Sequence, residues 1–173
     1  MGTSGPEAWD NDKAADGFGL LFDKNRPRQP EVQLLFLGCG HTHGDTIVYL
    51  PKEKIVCVGD LVGSEPPFLG DGQFDEWIAT LERLKQLDFD LMLMGHGRPS
   101  TDGRALITGL QACLRDVVKL VDDARRQGIG ARDLAPRLDL SAHAGTFPSL
   151  KRPGLGLGEV HRVCEWLYEQ GRR

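Results

Sequence analysis

Three short polar islands each close an apolar run: Gly40-His41-Thr42-His43-Gly44-Asp45, Gly59-Asp60-Leu61 and Gly95-His96-Gly97. Imidazole nitrogens and carboxylate oxygens are ligands for a borderline metal such as zinc. His41, Asp60 and His96 are therefore read together as candidate metal ligands, with Asp60 placed to hold and orient an attacking water. Spacings of 19 and 36 residues are too long for a local finger-type clip. The fold must gather them from separate strand ends, and the adjoining glycines let the backbone turn tightly beside a ligand. Taken singly, each island also reads as an ordinary polar loop; three of the same type favour a metal-centred hydrolytic site. His43 and Asp45 are auxiliary candidates. His41-Thr42-His43-Gly44-Asp45 has HxHxD spacing, but such a loop opens a helix and Thr46 to Leu50 reads as a strand. Asp45 suits bonding to backbone donors of its own turn.

The positioning elements follow from periodicity. Val32–Leu37, Thr46–Leu50, Ile55–Val58 and Phe89–Met94 read as strands, the second and third joined as a hairpin by Pro51-Lys52-Glu53-Lys54. A short strand is expected within Gly17–Phe22, and a proline-punctuated turn over Asn25–Pro30. Phe74–Leu87 has helical spacing at Trp77, Ile78, Leu81 and Leu84, with Asp75 as the expected N-cap. Arg104–Arg126 is a long amphipathic helix stopped by Gly128 and Gly130. A short helix over Ala131–Leu138, a loop over Ser141–Gly158 and a last helix over Glu159–Gln170 complete the chain. The expected class is α/β of the α+β layer type, one mixed sheet with helices on one face. Three segments are expected: a flexible lead-in at 1–17, a domain at 18–140, and a loop and helix at 141–173 packing on that domain.

The 173 residues suffice for one domain burying roughly 70% of its unfolded surface. A net charge of −4 gives no overall pull toward nucleic acid or anionic membrane, so neither is expected as a partner. Residues 1–17 lack the basic and apolar regions of a leader, and no apolar run reaches the ~18 residues of a span. The default compartment is the cytoplasm. Cys39, Cys57, Cys113 and Cys164 form no CxxC pair and read as reduced packing residues, with a redox or ligand role left open for Cys39 and Cys57. His143 reads as a structural hydrogen-bonding residue and His161 as a surface one. Gly154-Leu155-Gly156-Leu157-Gly158 lacks the strand and the Lys-Ser/Thr of a phosphate loop and reads as a helix cap.

The run Gly40-His41-Thr42-His43-Gly44-Asp45-Thr46-Ile47-Val48-Tyr49-Leu50-Pro51, then Val58-Gly59-Asp60-Leu61, then Met94-Gly95-His96-Gly97, resembles the metallo-β-lactamase superfamily in order and spacing. Pro67 to Gly72 with Trp77 to Leu81, and the helical tail, look like its generic metal-dependent hydrolase branch. The resemblance covers about residues 18–145. It implies the C-terminal half of an αββα sandwich. His41 would bind one metal, His96 a second, and Asp60 would bridge them. The metal would be zinc, or manganese or iron, generating hydroxide from water for attack on an ester, thioester, amide or phosphoester of a small-molecule substrate. The family also carries an upstream HxHxDH motif, and the 40 residues before His41 contain no histidine. Two protein ligands per metal fall short of the three or four that zinc sites use. The expected site is thus half of a dinuclear centre, weak in this chain alone, with a homodimer or a chain carrying the complementary half as the expected partner. The competing function is a non-catalytic remnant or interaction module that dimerises through its exposed sheet face.

Overall fold

The computed structural model describes residues 18–20 by their backbone, and residues 30–66 and 68–170 in full. The lead-in at 1–17 and most of the turn at 25–30 lie outside the described residues. The element order is β1 (Phe18–Leu20), β2 (Gln33–Leu35), β3 (Ile47–Leu50), β4 (Ile55–Gly59), α1 (Phe74–Lys85), β5 (Leu91–Met94), α2 (Gly103–Arg126), α3 (Ala131–Leu134) and α4 (Leu157–Glu169). The class is α+β, with one mixed five-stranded sheet in the order β1-β2-β3-β4-β5. β1 to β4 pair antiparallel and β4 pairs parallel with β5. β2, β4 and β5 therefore run the same way, and the three polar islands all follow their C-terminal ends. That edge is the usual place for ligand sites in open sheets.

The hairpin turn between β3 and β4 works because Lys54 takes φ +54°, a left-handed conformation that closes the turn. α2 stops at Gln127, and Gly128 follows at φ +75°, where glycine carries no Cβ penalty. The expected Asp75 cap is corrected: Gln73 is the N-cap of α1 and makes no side-chain cap bond. Asp75 falls in the first turn, where its charge still favours the helix N-terminus. The loop expected over 141–158 contains two 3₁₀ turns, Ser141–His143 and Pro148–Lys151. Pro136 ends α3 early, leaving a 3₁₀ turn at Ala135–Arg137.

The core lies between one sheet face and the helices. Leu35, Ile47, Tyr49, Val56, Val58 and Met92 supply the sheet side. Phe74, Trp77, Leu81 and Leu84 of α1 meet Ile107, Leu110, Leu114 and Val121 of α2 and Val160, Val163 and Leu167 of α4. Buried polar groups are satisfied: Gln111 of α2 donates to Ile78 O at 2.9 Å and to Glu82 at 3.2 Å, tying α2 to α1. Arg104 donates to Leu87 O at 2.6 Å and Phe89 O at 2.8 Å, with its guanidinium 4.3 Å from the Phe89 ring centroid. One side chain thus clamps the entry of β5 to the start of α2.

His143 bonds Asp116 of α2 at 2.8 Å, the structural role expected of it. His161 is exposed. We expect His143→Ala and Asp116→Asn each to lower unfolding free energy by about 1 kcal/mol, the usual worth of one such bond. The double variant should cost little more than either single one, read by urea denaturation in a double-mutant cycle.

All four cysteines are free. Burial pushes each thiol up, Cys113 to about 12, so they stay protonated at neutral pH. No helix among the described residues is long and apolar enough to cross a membrane.

Candidate functional site

The first island is held by α1. Thr80 donates to Cys39 O at 2.8 Å, and Arg83 donates to Leu37 O at 2.6 Å. Gln73 N donates to Gly40 O at 2.9 Å. Gly38 sits at φ +126° with Thr80 so close that any Cβ would collide with the hydroxyl. Within the island, Asp45 accepts from Thr42 N at 3.0 Å and from the Thr42 hydroxyl at 2.9 Å. Asp45 therefore folds its own turn. That turn presents His41, whose ring meets the indole of Trp77 edge-on at 5.6 Å between centroids.

The second and third islands are joined by the parallel strands. The register shifts between Cys57 and Gly59, Gly59 takes φ +55°, and Gly95 N donates to Gly59 O at 2.7 Å. A Cβ on Gly95 would collide with the Asp60 carboxylate, so this glycine is what leaves room for it. His96 Nε2 stands 3.7 Å from Asp60 Oδ1. Gly97 takes φ +113° against Ser64, which docks the loop after β5 on the loop after β4.

His41, Asp60 and His96 line one cleft of about 380 Å³, with Ser64, Glu65, Pro66 and Phe68 around its mouth. Phe68 is 58% exposed, a large apolar ring offered to solvent beside polar groups. Glu65 and Pro66 are not singled out by the sequence, and Phe68 enters there only as part of the Pro67–Gly72 segment, not as a residue of the cleft. His43 is placed elsewhere. It lines a second cleft with Asp71, Gln73, Arg162 and Glu165, and is not brought to the other three. Cys39 donates to His43 O at 3.6 Å, and Cys57 lies on a strand inside the sheet; neither lines the His41 cleft.

The glycine run before α4 behaves as a cap. Glu159 accepts from Gly156 N at 2.9 Å and from Leu69 N at 3.2 Å. A carboxylate occupies the place where a phosphate would sit.

Two imidazoles and a carboxylate are the right donor types for zinc. Their number falls short: no group of three or more His, Cys, Asp and Glu among the described residues is drawn together closely enough to hold an ion. His96 is 90% exposed and Asp60 43% exposed, so both are open to further donors.

The architecture is a mixed sheet with helices on one face, carrying histidine and aspartate loops at its C-terminal strand ends. Residues 30–96 match the family model described as metallo-beta-lactamase superfamily. The chain is 32% identical over 84 residues to a metallo-beta-lactamase type 2 of Bacillus sp. (strain 170), covering 45% of this chain and 33% of that one. It is 34% identical over 68 residues to the 2,4-dinitroanisole O-demethylase subunit alpha of Nocardioides sp. (strain JS1661), covering 38% and 21%. The chain thus spans a third or less of these relatives' length. Among solved structures, the metallo-beta-lactamase from Pontibacter korlensis aligns with TM-score 0.48 and 22% identity, over 57% of this chain and 46% of that one.

Proposed function

We propose that this chain carries one half of a metal-dependent hydrolase site, with His41, Asp60 and His96 as its contribution. The observation that carries the reading is their convergence on one cleft from three separate strand ends. The remaining donors come from polypeptide outside these 173 residues, since the sequence contains no HxHxDH segment. When bound, a zinc, manganese or iron ion supplies Lewis acidity that lowers the pKa of water toward ~7 for hydrolysis of an ester, thioester, amide or phosphoester. The chain's own residues set the geometry. Asp60, lodged against Gly95, accepts a hydrogen bond from the attacking water and orients it. Trp77 fixes the ring plane of His41 from one side. Phe68 covers the cleft mouth and excludes bulk water around a small-molecule substrate. The second relative is named as a subunit, which supports completion by another chain.

The test is zinc binding by equilibrium dialysis with elemental analysis. The chain should bind zinc, and His41→Ala/His96→Ala should weaken the affinity by about tenfold or more. Absence of zinc from the unsubstituted chain, or equal uptake by the double variant, overturns the reading.

A further inference from the structure

The loop between β4 and α1 walls one side of the His41 cleft, and both of its ends are anchored. Leu61 and Val62 are buried at one end and Leu69 at the other. The arc between them faces the cleft through Gly63, Ser64, Glu65, Pro66 and Phe68.

Phe68 is held from behind by α4. The Leu69 N–H, which shares a peptide plane with the Phe68 carbonyl, donates to Glu159 Oε1 at 3.2 Å. The other oxygen of that carboxylate accepts from Gly156 N at 2.9 Å, so the side chain that caps α4 also grips the loop. Arg162, one turn further along, donates to Gly72 O at 3.3 Å and to Glu169 at 3.1 Å. Gly72 N donates to Leu69 O at 3.0 Å, closing a turn between the two grips. The Phe68 ring lies over Gly70, where a Cβ would collide with it. The backbone is thus fixed, yet the ring stays exposed at the cleft. A phenyl ring held in water beside a polar cleft gains free energy when an apolar group covers it.

Charge narrows what that group can be. Among the described residues lining the cleft, Asp60 and Glu65 are carboxylates and none is lysine or arginine. An anionic group against Phe68 would meet like charge with no counter-charge beside it.

We infer that Phe68 is a specificity-determining residue that receives an uncharged aryl or alkyl group of the substrate, and that Glu159 of α4 is the positioning residue that holds it there. The inference rests on the reading of this cleft as the substrate site. It narrows the substrates to esters, thioesters or amides with an apolar, uncharged group on the Phe68 side.

The experiment follows the Gly63 and Gly97 amide resonances while the metal-free chain is titrated with three probes. Acetanilide is an uncharged aryl amide, acetamide lacks its ring, and 4-acetamidobenzoate adds a carboxylate to it. Losing one aromatic contact is worth about threefold to tenfold in affinity. Acetanilide should shift both resonances to saturation, and acetamide and 4-acetamidobenzoate should each bind more weakly by at least that factor. Phe68→Ala should lose the same factor for acetanilide, as should Gly70→Ala, whose methyl displaces the ring. Glu159→Ala should match them, whereas Glu159→Gln, which keeps an oxygen acceptor for Leu69 N, should stay near the unsubstituted chain. Phe68→Ala/Glu159→Ala should bind no more weakly than Phe68→Ala, because Glu159 acts through the ring. A further loss in the double variant, or full affinity in Glu159→Ala, overturns the positioning role. Absence of acetanilide shifts at these amides, equal affinity in Phe68→Ala, or equal affinity for 4-acetamidobenzoate overturns the specificity role. Zinc uptake is read separately on the same chain. Lost aryl discrimination with zinc binding intact therefore sinks this inference alone, and absent zinc with discrimination intact sinks the metal reading alone.

Discussion

Replacing Trp77 by alanine is expected to cost about 3–5 kcal/mol, the range for emptying a fully buried tryptophan site. The indole is 0% exposed and fills the space between Gly40, Gly72 and Leu61. Its Nε1 donates to Leu61 O at 3.0 Å, and this carbonyl follows Asp60 directly. Truncation leaves a cavity and an orphaned buried acceptor together. Trp77→Phe separates the two contributions: it keeps most of the volume and loses the bond, so about 1–3 kcal/mol is expected. Guanidinium denaturation at constant m-value reads both numbers. The site should respond as well, because the His41 ring stands against this indole. Broadening and displacement of the His41 imidazole resonances in Trp77→Phe, with the His143 resonances unmoved, is the expected signature. A loss below 1 kcal/mol in Trp77→Ala would show that α1 does not anchor the site as the structure indicates.

Much of this was legible in the chain. The islands were readable because each sits where an apolar run meets glycine, and no other local arrangement puts His or Asp there three times. The helices were readable from the stripes Trp77-Leu81-Leu84 and Leu110-Leu114-Val117-Val121, which only a 3.6-residue period satisfies. The N-cap was misread because Asp75 is a good capping type, whereas the backbone turns at Gln73 where its N–H reaches back to Gly40 O. Such a tertiary bond leaves no local signal. The same holds for Thr80 and Arg83. They look like polar surface positions of a helix, and their work is done 41 to 46 residues away on Leu37 and Cys39. The strand after the HxHxD spacing already speaks against His43 as a ligand beside His41, and the two histidines line different clefts.

The sheet carries a further lesson. Ile55-Val56-Cys57-Val58 and Leu91-Met92-Leu93-Met94 are unbroken apolar runs, the pattern of strands covered on both faces. Helices cover one face among the described residues. The sequence pattern thus demands a second layer that the described elements do not provide.

Gly95→Ala is the sharpest single test of how the site is built. The new methyl would meet both the Asp60 carboxylate and the backbone of Gly59, the latter at 2.9 Å. A flexible side-chain end can give way, whereas a strand backbone gives way only by moving. The Gly95 N to Gly59 O bond at 2.7 Å must lengthen, and the carboxylate must leave its place beside His96. About 1–3 kcal/mol of stability should be lost, the ordinary cost of overpacking. The protein should still fold, because the core residues Val58 and Met92 keep their places on the helix-covered face. Zinc affinity should fall by about tenfold or more, since a displaced ligand behaves nearly as a missing one. Asp60→Ala provides the reference. If Gly95→Ala weakens zinc as much as Asp60→Ala while His41→Ala adds a further loss to each, the strand-end geometry sets the site. If Gly95→Ala binds zinc like the unsubstituted chain, Asp60 is not a ligand where the structure places it.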